Sequence, residues 1–557
     1  MLTDGTMLDV LEARAHTAAQ GFTFLDYKLQ PDHWSFTRLV AEARRRAAYF
    51  SSRGLQPGER LAIMMPDVRE FVISFYGAIA AGLVPVPMYP AFGPRSSPEF
   101  VRTASEIIEL TECRVLLADQ LPADLASSLL QRGVSRLTSA EIAAATGLPD
   151  YVRPSAVGPS DACFLQFTSG STRAPKGVVV SHANLLANAR AIMVDGLHGD
   201  PEHDRGVCWL PLYHDMGLIG HVVAPFAMGM SVVFIPTLAF IARPGVWMET
   251  VHKYRGTISF GPNFALALAV KRQNHLERLD LSCLRVLGCG AEPVHADTLR
   301  TFVSTFEPHG LKPEAVMPCY GLAEATLAVS FESLSRPARI IAIDRAAYES
   351  AGIVQLTAAG ADDAIELASC GRPLPGHEVA IVDEQGKPLP EGRVGEIAVR
   401  GPSVTPGYFR DPEASAAQRS GEWLLAGDCG FLLDSDLFVS GRKKDLLIVD
   451  GRNYYPQALE WVVEELPDVR RGSVVAFSVP GADSERVIVV AETKRKAEAH
   501  TLAKQIRQHL RSSVGLMPAD VVLIGPGQLP KTSSGKLQRQ KAKQMYSTGG
   551  FANQVTQ

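Results

Sequence analysis

The chain has 557 residues, of which 46% are hydrophobic and 20% charged, and its formal net charge is −4. This composition excludes a disordered chain, which combines low hydrophobicity with high net charge. The near balance of 55 basic and 59 acidic side chains gives no reason to expect nucleic acid as a partner. The eight cysteines include no C-x-x-C pair, so we expect buried thiols in a reducing cytoplasm.

The sequence predicts neither a secretory signal nor a transmembrane segment. Residues 1–15 lack a basic stretch followed by an apolar one, so no signal peptide is expected. Residues 222–242 are long enough to span a bilayer, but Pro225, Gly229 and Pro236 divide them into short pieces. We therefore predict protein core in this stretch, with a buried strand at SVVFI.

The first 150 residues alternate between helical and strand patterns. An amphipathic helix is predicted over 36–53 and another helix over 71–81. Short apolar strands are predicted at RLAIMM (60–65), LVPVPM (83–88) and RVLLAD (114–119). Strands and helices that alternate with short turns predict a mostly parallel sheet covered by helices.

The pattern changes twice in the second half of the chain. Residues 371–440 contain short alternating strands with Gly/Pro turns, which predicts a small β unit. Residues 442–557 have the pattern of a separate α+β domain. Its predicted elements are a helix over 458–465, the strands VVAFSV and RVIVVAET, and a helix over 502–514. The predicted fold class is α/β, with stacked, mostly parallel sheets in residues 1–441 and a small α+β C-terminal domain.

Residues 163–188, CFLQFTSGSTRAPKGVVVSHANLLAN, predict a strand, a polar loop, a second strand and a helix capped by Ser181. Hydroxyls, glycine and lysine together are typical of a polyphosphate-binding loop. It is not a Walker A loop, because a strand rather than a helix follows the lysine. The alternative is an ordinary Ser/Thr-rich hairpin turn. The candidate phosphate-binding residues are Thr168, Ser169, Gly170, Ser171, Thr172 and Lys176.

TSGSTRAPKG (168–177) resembles the signature loop of the adenylate-forming superfamily, which includes acyl-CoA synthetases, luciferases and nonribosomal-peptide adenylation domains. The remaining signatures follow in order: LPLYHDMGL (210–218), GAEP (290–293), YGLAEAT (320–326), GEIAVRG (395–401), Gly427-Asp428, GRKKDLLIVDGRNYYP (441–456) and PKTSSGK (530–536). The chain is identified as a member of this superfamily. The resemblance implies that a carboxylic acid is joined to the α-phosphorus of ATP with release of pyrophosphate, and that Mg²⁺ takes part.

The resemblance also implies nucleotide-binding roles. Glu324 resembles the family's magnesium-binding glutamate and Thr168 the hydroxyl beside the same ion, since a carboxylate suits a hard cation. Asp428 resembles the ribose-binding aspartate, with Arg442 as its partner. The adenine-facing residues implied are Gly290, Ala291, Glu292, Tyr320 and Gly321, with the Tyr320 ring stacking on the base. From the residues alone, Glu324 also fits a helix-start acid and Asp428 a turn aspartate.

Three further residues have roles that only the resemblance implies. Lys536 resembles the catalytic lysine, His214 a gate between the ATP site and the acyl pocket, and Lys444 the hinge of a mobile C-terminal domain. The alternatives are a solvated lysine and a core histidine with a satisfied hydrogen bond. The basic cluster around Lys536 would also help an acidic partner to dock.

The finer resemblance is to fatty acyl-AMP ligases, through VPVPMYP, PLYHDMGLIG, SCGRPLPG and GRNYYPQALE. Residues 336–368 match an insertion of that branch, with a strand at RIIAID and a short helix at RAAYESAG. The branch implies transfer of the acyl group to the phosphopantetheine thiol of an acyl carrier protein, in polyketide or lipopeptide synthesis. The alternative is a medium- or long-chain acyl-CoA synthetase. The apolar residues 260–270 favour a fatty acid, although Asp215 leaves an amino acid substrate open.

Overall fold

The computed structural model describes residues 5–90, 97–168, 175–271, 276–361, 363–449, 452–480, 485–494, 499–532 and 536–551. Its largest element is a nine-stranded mixed sheet whose central strands are parallel. In spatial order the strands are Arg372–Pro373, Ala328–Phe331, Val316–Gly321, Val286–Cys289, Ile258–Gly261, Arg205–Cys208, Ser231–Phe234, Gly21–Leu25 and Pro31–Ser35. The short apolar runs at its centre are buried on both faces, as expected for parallel strands covered by helices.

A second, fully parallel sheet packs in the same N-terminal region. Its strands in spatial order are Val84–Pro87, Arg60–Ile63, Val115–Leu117 and Ser135–Leu137. The helices of the first 255 residues are Met7–Arg14, Phe36–Ser52, Val68–Ala80, Pro98–Thr111, Ala123–Gln131, Ser139–Ala144, His182–Arg190, Asp215–Gly217, Ala224–Met228, Thr237–Ala242 and Val246–Tyr254, with π-helices Ala191–Gly196 and Leu218–Val223. The predicted alternation of strand and helix is confirmed here.

Four adjacent parallel strands of the large sheet end at the same edge. The segments that follow Arg205–Cys208, Ile258–Gly261 and Val286–Cys289 contain LPLYHDMGL, the FGPNF turn and GAEP, respectively. The strand Val316–Gly321 leads into the 3-10 turn Ala323–Ala325, which holds Glu324. Ligands of open α/β sheets bind outside the carboxyl ends of the strands, so the topology brings these separate motifs together.

The predicted β unit is present, and residues 336–368, predicted to be an insertion, form local structure of their own. The β unit is a five-stranded antiparallel sheet made of Glu378–Val382, Gly395–Arg400, Trp423–Leu433, Arg419–Ser420 and Asp436–Arg442. This segment contains the hairpin Ile340–Asp344 with Ala364–Ala368 and, between them, the helix Arg345–Ala351. Arg300 holds this hairpin through two bonds to Glu366, of 2.6 and 2.8 Å. The remaining helices before residue 442 are Asn263–Lys271, Ala296–Phe306 and Pro412–Ala417, with 3-10 turns Leu276–Arg278, Glu307–His309 and Pro313–Ala315.

The C-terminal α+β domain has its own hydrophobic core. A three-stranded sheet of Val469–Pro480, Glu485–Thr493 and Asp520–Ile524 carries Pro456–Glu464 and Ala499–Val514 on one face and Arg539–Ser547 on the other. The linking segment contains the turn Lys443–Asp445 and the hairpin Leu447–Val449 with Arg452–Tyr454. Apolar side chains are buried on both faces of this sheet. Its strands therefore contain continuous apolar runs, in contrast to the short strands with Gly/Pro turns of the preceding β unit.

The stretch 222–242 divides as its prolines and glycine predict. It contains the helix Ala224–Met228, the buried strand Ser231–Phe234 and the helix Thr237–Ala242. In the part of the chain that the structure describes, no helix is long and apolar enough to cross a membrane. One part of the prediction is wrong: Ile241 is 61% exposed rather than part of the core. The short helix buries Phe240 and turns the next residue outward.

Candidate functional site

One cavity of about 2440 Å³ gathers most of the residues that the sequence singles out. The lining residues among them are Thr168, Lys176, His214, Ala291, Glu292, Tyr320, Gly321, Glu324, Asp428, Arg442, Lys444 and Lys536. Gly290 is adjacent to this set but does not line the cavity. Ser169, Gly170, Ser171 and Thr172 lie outside the described residues. Motifs that lie up to 368 positions apart in the chain (Thr168 and Lys536) therefore surround one space.

Glu324 and Lys176 meet at the side chain of Tyr408. The Tyr408 hydroxyl donates to Glu324 Oε1 at 2.6 Å, and Lys176 Nζ lies 4.8 Å from the centroid of the Tyr408 ring. Thr405 fixes the backbone of Glu324 by donating to its carbonyl oxygen from both the amide, at 2.9 Å, and the hydroxyl, at 3.0 Å. A carboxylate and an ammonium group thus contact the same tyrosine in the cavity, and both kinds of group suit a metal-bound polyphosphate.

These groups fit Mg²⁺, because this ion is usually bound by one or two carboxylates, waters and substrate phosphates rather than by an all-protein cage. Among the described residues there is no group of three or more His, Cys, Asp or Glu side chains arranged for a metal. Glu324 offers its second carboxylate oxygen, and Thr168 lines the same cavity with its hydroxyl. Glu324 and Thr168 would hold the ion only when a nucleotide supplies further oxygens.

Asp428 and Arg442 face each other across two strands of the β unit. They are paired positions in the ladder between Trp423–Leu433 and Asp436–Arg442, and Arg442 Nε lies 3.7 Å from Asp428 Oδ1. The Tyr320 hydroxyl donates to Asp428 Oδ2 at 2.8 Å. Burial raises the pKa of Asp428, while Arg442 and the Tyr320 hydrogen bond oppose this rise. A carboxylate held in this way has lone pairs left for ligand hydroxyls.

The GAEP loop follows the strand Val286–Cys289 of the large sheet and is hydrogen-bonded to the helix Asn263–Lys271. Glu292 Oε1 accepts a hydrogen bond from the first-turn amide of Phe264 at 2.7 Å, and burial raises the pKa of Glu292. Ala291 has a positive φ of 67°. Gly290 is needed for packing, since a Cβ there would lie 2.7 Å from Cys319 Sγ and 2.8 Å from its carbonyl oxygen. The loop therefore has little freedom to move away from the cavity.

Lys536 enters the cavity from the C-terminal domain. Its loop is closed by two bonds with Thr532: the Lys536 amide donates to Thr532 Oγ1 at 3.0 Å, and the Thr532 amide donates to the Lys536 carbonyl at 2.7 Å. Burial lowers the pKa of Lys536, and the carboxylate of Asp215 is the strongest opposing charge. Burial, together with the charge of Lys536, also lowers the pKa of His214 to about 3. His214 is therefore a neutral ring at physiological pH.

The segment after the β unit is tied to the end of the chain by Arg539. This guanidinium donates to Glu460 at 2.7 and 2.9 Å and to Asp445 at 3.2 Å. Lys444, beside Asp445, lines the cavity, and burial lowers its pKa. The basic cluster predicted from the sequence is thus engaged in internal contacts: Arg539 is ion-paired, and Lys541 forms an ion pair with Glu99 of the N-terminal region. This cluster is not one free basic surface.

Comparison with known proteins identifies the family. The family model "AMP-binding enzyme" matches residues 11–409. The chain belongs to this family of adenylate-forming enzymes. Residues 444–555 match a second model, "Disco-interacting protein 2-like, AMP domain". Both matches agree with the large N-terminal α/β region and the smaller C-terminal α+β domain.

Individual relatives of this AMP-binding enzyme carry several functional names. A protein of Caulobacter vibrioides named "Putative acyl-CoA synthetase" is 35% identical, covering 93% of this chain and 91% of its own. A 4-hydroxyphenylalkanoate adenylyltransferase of Mycobacterium marinum is 35% identical over 99% of this chain and 92% of its own. A solved structure of fatty acyl-adenylate ligases from E. coli and L. pneumophila has 34% identity and a TM-score of 0.91, covering 99% and 98%. The predicted resemblance to the fatty acyl-AMP ligase branch is confirmed.

Several residues of the AMP-binding enzyme's cavity were not found by sequence reasoning. Tyr408 follows Gly407, and a glycine–tyrosine pair is too common to indicate a contact with Glu324, 84 positions away. His295, three residues after Glu292, packs against Trp461 of the C-terminal domain, with ring centroids 4.4 Å apart and planes tilted by 41°. Both rings line the cavity. Only the lone tryptophan in a short amphipathic helix hinted at this contact.

Proposed function

We propose that this AMP-binding enzyme activates a fatty acid as its acyl-adenylate and transfers the acyl group to the phosphopantetheine thiol of an acyl carrier protein. In the first step a carboxylate oxygen attacks the α-phosphorus of ATP and pyrophosphate leaves. In the second step the thiol attacks the acyl carbonyl and AMP leaves. The observation that carries the proposal is the convergence of Lys176, Arg442 and Lys536 with an apolar pocket in one cavity.

The cations have a clear task in the first step. Two anions must approach each other, so oriented positive groups lower the barrier most where charge develops. We assign Lys176 and the Thr168–Thr172 loop to the phosphates, Asp428 with Arg442 to the ribose, and Lys536 to the substrate carboxylate and α-phosphate. A magnesium ion held by Glu324 and Thr168 would offset the charge of the phosphate oxygens. Tyr408 positions Glu324 for that task.

A neutral pocket wall supports an acid without an ammonium group. Trp209, Phe240 and Phe264 form an aromatic wall, with the first two rings stacked 3.7 Å apart. Asp215, which an amino acid substrate would need, lies beside Lys536 and is its main opposing charge. An acid whose tail is apolar gains about 0.8 kcal/mol for each methylene that it buries. These features favour a fatty acid over an amino acid.

Pyrophosphate release tests the first step. The purified protein is incubated with ATP, Mg²⁺ and fatty acids, with an amino acid and a 4-hydroxyphenyl-substituted alkanoic acid as comparison substrates. We expect release that depends on the fatty acid. Lys536→Ala should abolish adenylate formation while ATP still binds, and Lys504→Ala, at an exposed lysine of the helix Ala499–Val514 that does not line the cavity, is the matched control. Release that does not depend on any acid, or is unchanged in Lys536→Ala, contradicts the proposal.

The acceptor needs a separate test, because the Caulobacter relative's name points to coenzyme A. The enzyme is given ATP and a fatty acid together with either coenzyme A or a phosphopantetheinylated acyl carrier protein. Intact-mass spectrometry follows the carrier, and chromatography follows acyl-CoA. Rapid acyl-carrier formation with little acyl-CoA is expected. Rapid acyl-CoA formation would instead establish an acyl-CoA synthetase, the second candidate.

A further inference from the structure

The helix Asn263–Lys271 presents one stripe of side chains to the cavity. The residues of this stripe are Phe264, Ala267, Leu268 and Lys271, and Asn263 and Val270 of the same helix also line the cavity. Those buried on its other side are Ala265, Leu266 and Ala269. The spacing i, i+3, i+4, i+7 defines one face of a helix, and seven residues span about 10 Å. The inner end of the stripe is fixed beside the adenylate-forming centre, since Glu292 accepts from the Phe264 amide.

Aromatic rings form the opposite wall of this groove. Trp209 follows the central strand Arg205–Cys208 and stacks on Phe240, with ring centroids 3.7 Å apart and planes 18° from parallel. The Trp209 ring also meets Phe264 edge-on at 6.4 Å. Both Trp209 and Phe240 are buried. The groove therefore has rigid, apolar sides that suit an unbranched tail.

The outer end of the groove reaches the surface. Ile241 lines the cavity and is nevertheless 61% exposed, so the space that it borders is continuous with solvent. Lys271, the last residue of the stripe, also lines the cavity and is exposed. Neighbouring Leu238 lies on the same short helix and is 37% exposed, but it does not line this cavity. The apolar side chain of Ile241 is thus exposed to solvent at the outer end of the groove.

We infer that the acyl groove is open-ended between the helices Thr237–Ala242 and Asn263–Lys271, and that Ile241 forms a lip that long acyl tails cross on their way out. The inference rests on the proposed fatty acid activation and extends it to substrate length. A groove that is open at this end imposes no upper limit on the length of the tail. Each methylene that gains burial against the groove or the lip raises affinity about fourfold, and methylenes beyond the lip add nothing.

A chain-length series with two matched variants tests this inference. Saturated acids from hexanoic to octadecanoic are compared by kcat/KM for pyrophosphate release, with the wild-type protein, Ile241→Glu and Leu238→Glu. Both changes place a carboxylate at an exposed position of the helix Thr237–Ala242, so neither should prevent folding. Activity with hexanoic acid, which is too short to reach the lip, serves as the folding control for each variant.

The wild type should show kcat/KM that rises with chain length and then stays level up to octadecanoic acid. Ile241→Glu should lower kcat/KM for octadecanoic acid about tenfold, because a charged lip removes the burial of the last few methylenes, and leave hexanoic acid within about twofold. Leu238→Glu should leave both unchanged.

A sharp fall in wild-type activity beyond a particular length would reveal a closed floor and overturn the inference. Equal losses at all lengths in Ile241→Glu, or equal effects of the two variants, would also overturn it. These outcomes would not contradict the proposed fatty acid activation. Absence of pyrophosphate release with every acid in the series would instead refute the proposed function itself.

Discussion

The ammonium group of Lys536 sits in a field of opposing charges. Burial lowers its pKa and Asp215 raises it. Lys536 and Asp215 affect each other: burial raises the pKa of Asp215, and the charge of Lys536 lowers it. Asp215 is thus placed to keep Lys536 protonated in the free enzyme. The Asp215 carboxylate can therefore stabilise the charge of Lys536, a role that does not require an amino acid substrate.

A pH profile tests this coupling. If protonated Lys536 is required, kcat/KM for ATP should fall as the pH rises through the Lys536 pKa, since this ratio reports groups on the free enzyme. Asp215→Asn removes the charge that raises this pKa, so the alkaline fall should begin at lower pH. Asp297→Asn, in the same cavity but paired with Arg300, should not move it. Identical alkaline limbs in wild type and Asp215→Asn would exclude the coupling.

At the scale of elements, the strand Val316–Gly321 does two things at its end. Tyr320 donates to Asp428, and Gly321 lets the chain fold back into the antiparallel strand Ala328–Phe331, with an irregular register at this point. A Cβ on Gly321 would lie 1.9 Å from the Leu327 carbonyl oxygen. The turn that carries Glu324 therefore depends on a residue without a side chain.

Gly321→Ala should destabilise the protein, because overpacking against a backbone atom costs about 1–3 kcal/mol. Thermal unfolding should move to lower temperature, and ATP-dependent stabilisation should shrink because Glu324 shifts. The control is Gly158→Ala, where the nearest atom to a new Cβ is a carboxylate oxygen at 3.7 Å. An unchanged unfolding temperature in Gly321→Ala would mean that the turn relaxes freely.

At the scale of the whole molecule, contacts between side chains of the two regions hold the C-terminal domain over the cavity. Among them, His295 packs against Trp461 with tilted rings, and Lys541 pairs with Glu99. Since aromatic pairs contribute about 0.5–1.5 kcal/mol, Trp461→Ala should slow pyrophosphate release by about two- to tenfold. Acyl transfer from supplied acyl-adenylate should change less, because it would use another domain orientation. Equal slowing of both half-reactions would show that Trp461 acts elsewhere.

The ion pair allows a second test of the same orientation. Both side chains are partly exposed, at 49% for Glu99 and 38% for Lys541, and such pairs contribute about 0.2–1 kcal/mol. Glu99→Lys or Lys541→Glu alone should therefore slow pyrophosphate release less than about fivefold. The double exchange should restore the rate. Failure of the double exchange to recover would assign the losses to other neighbours of these residues.

Local features of this fold were predictable because short-range physics determines them. Ser181 caps its helix by accepting from the Asn184 amide at 3.1 Å, and SVVFI is buried because an apolar run has no other favourable place. Contacts between distant segments leave no such pattern. Tyr408 is placed near Glu324 because the backbone around Gly407 pairs with the strand Lys176–Ser181.

Arg539 has a mechanical consequence for the domain that carries Lys536. Arg539 is hydrogen-bonded to both Asp445 and Glu460. It therefore connects the residue after the proposed pivot, Lys444, to the segment that follows Lys536. A rotation at the pivot would then carry the helices Pro456–Glu464 and Arg539–Ser547 together. The acyl-adenylate would meet its thiol acceptor after this rotation has withdrawn the Lys536 ammonium group from the cavity.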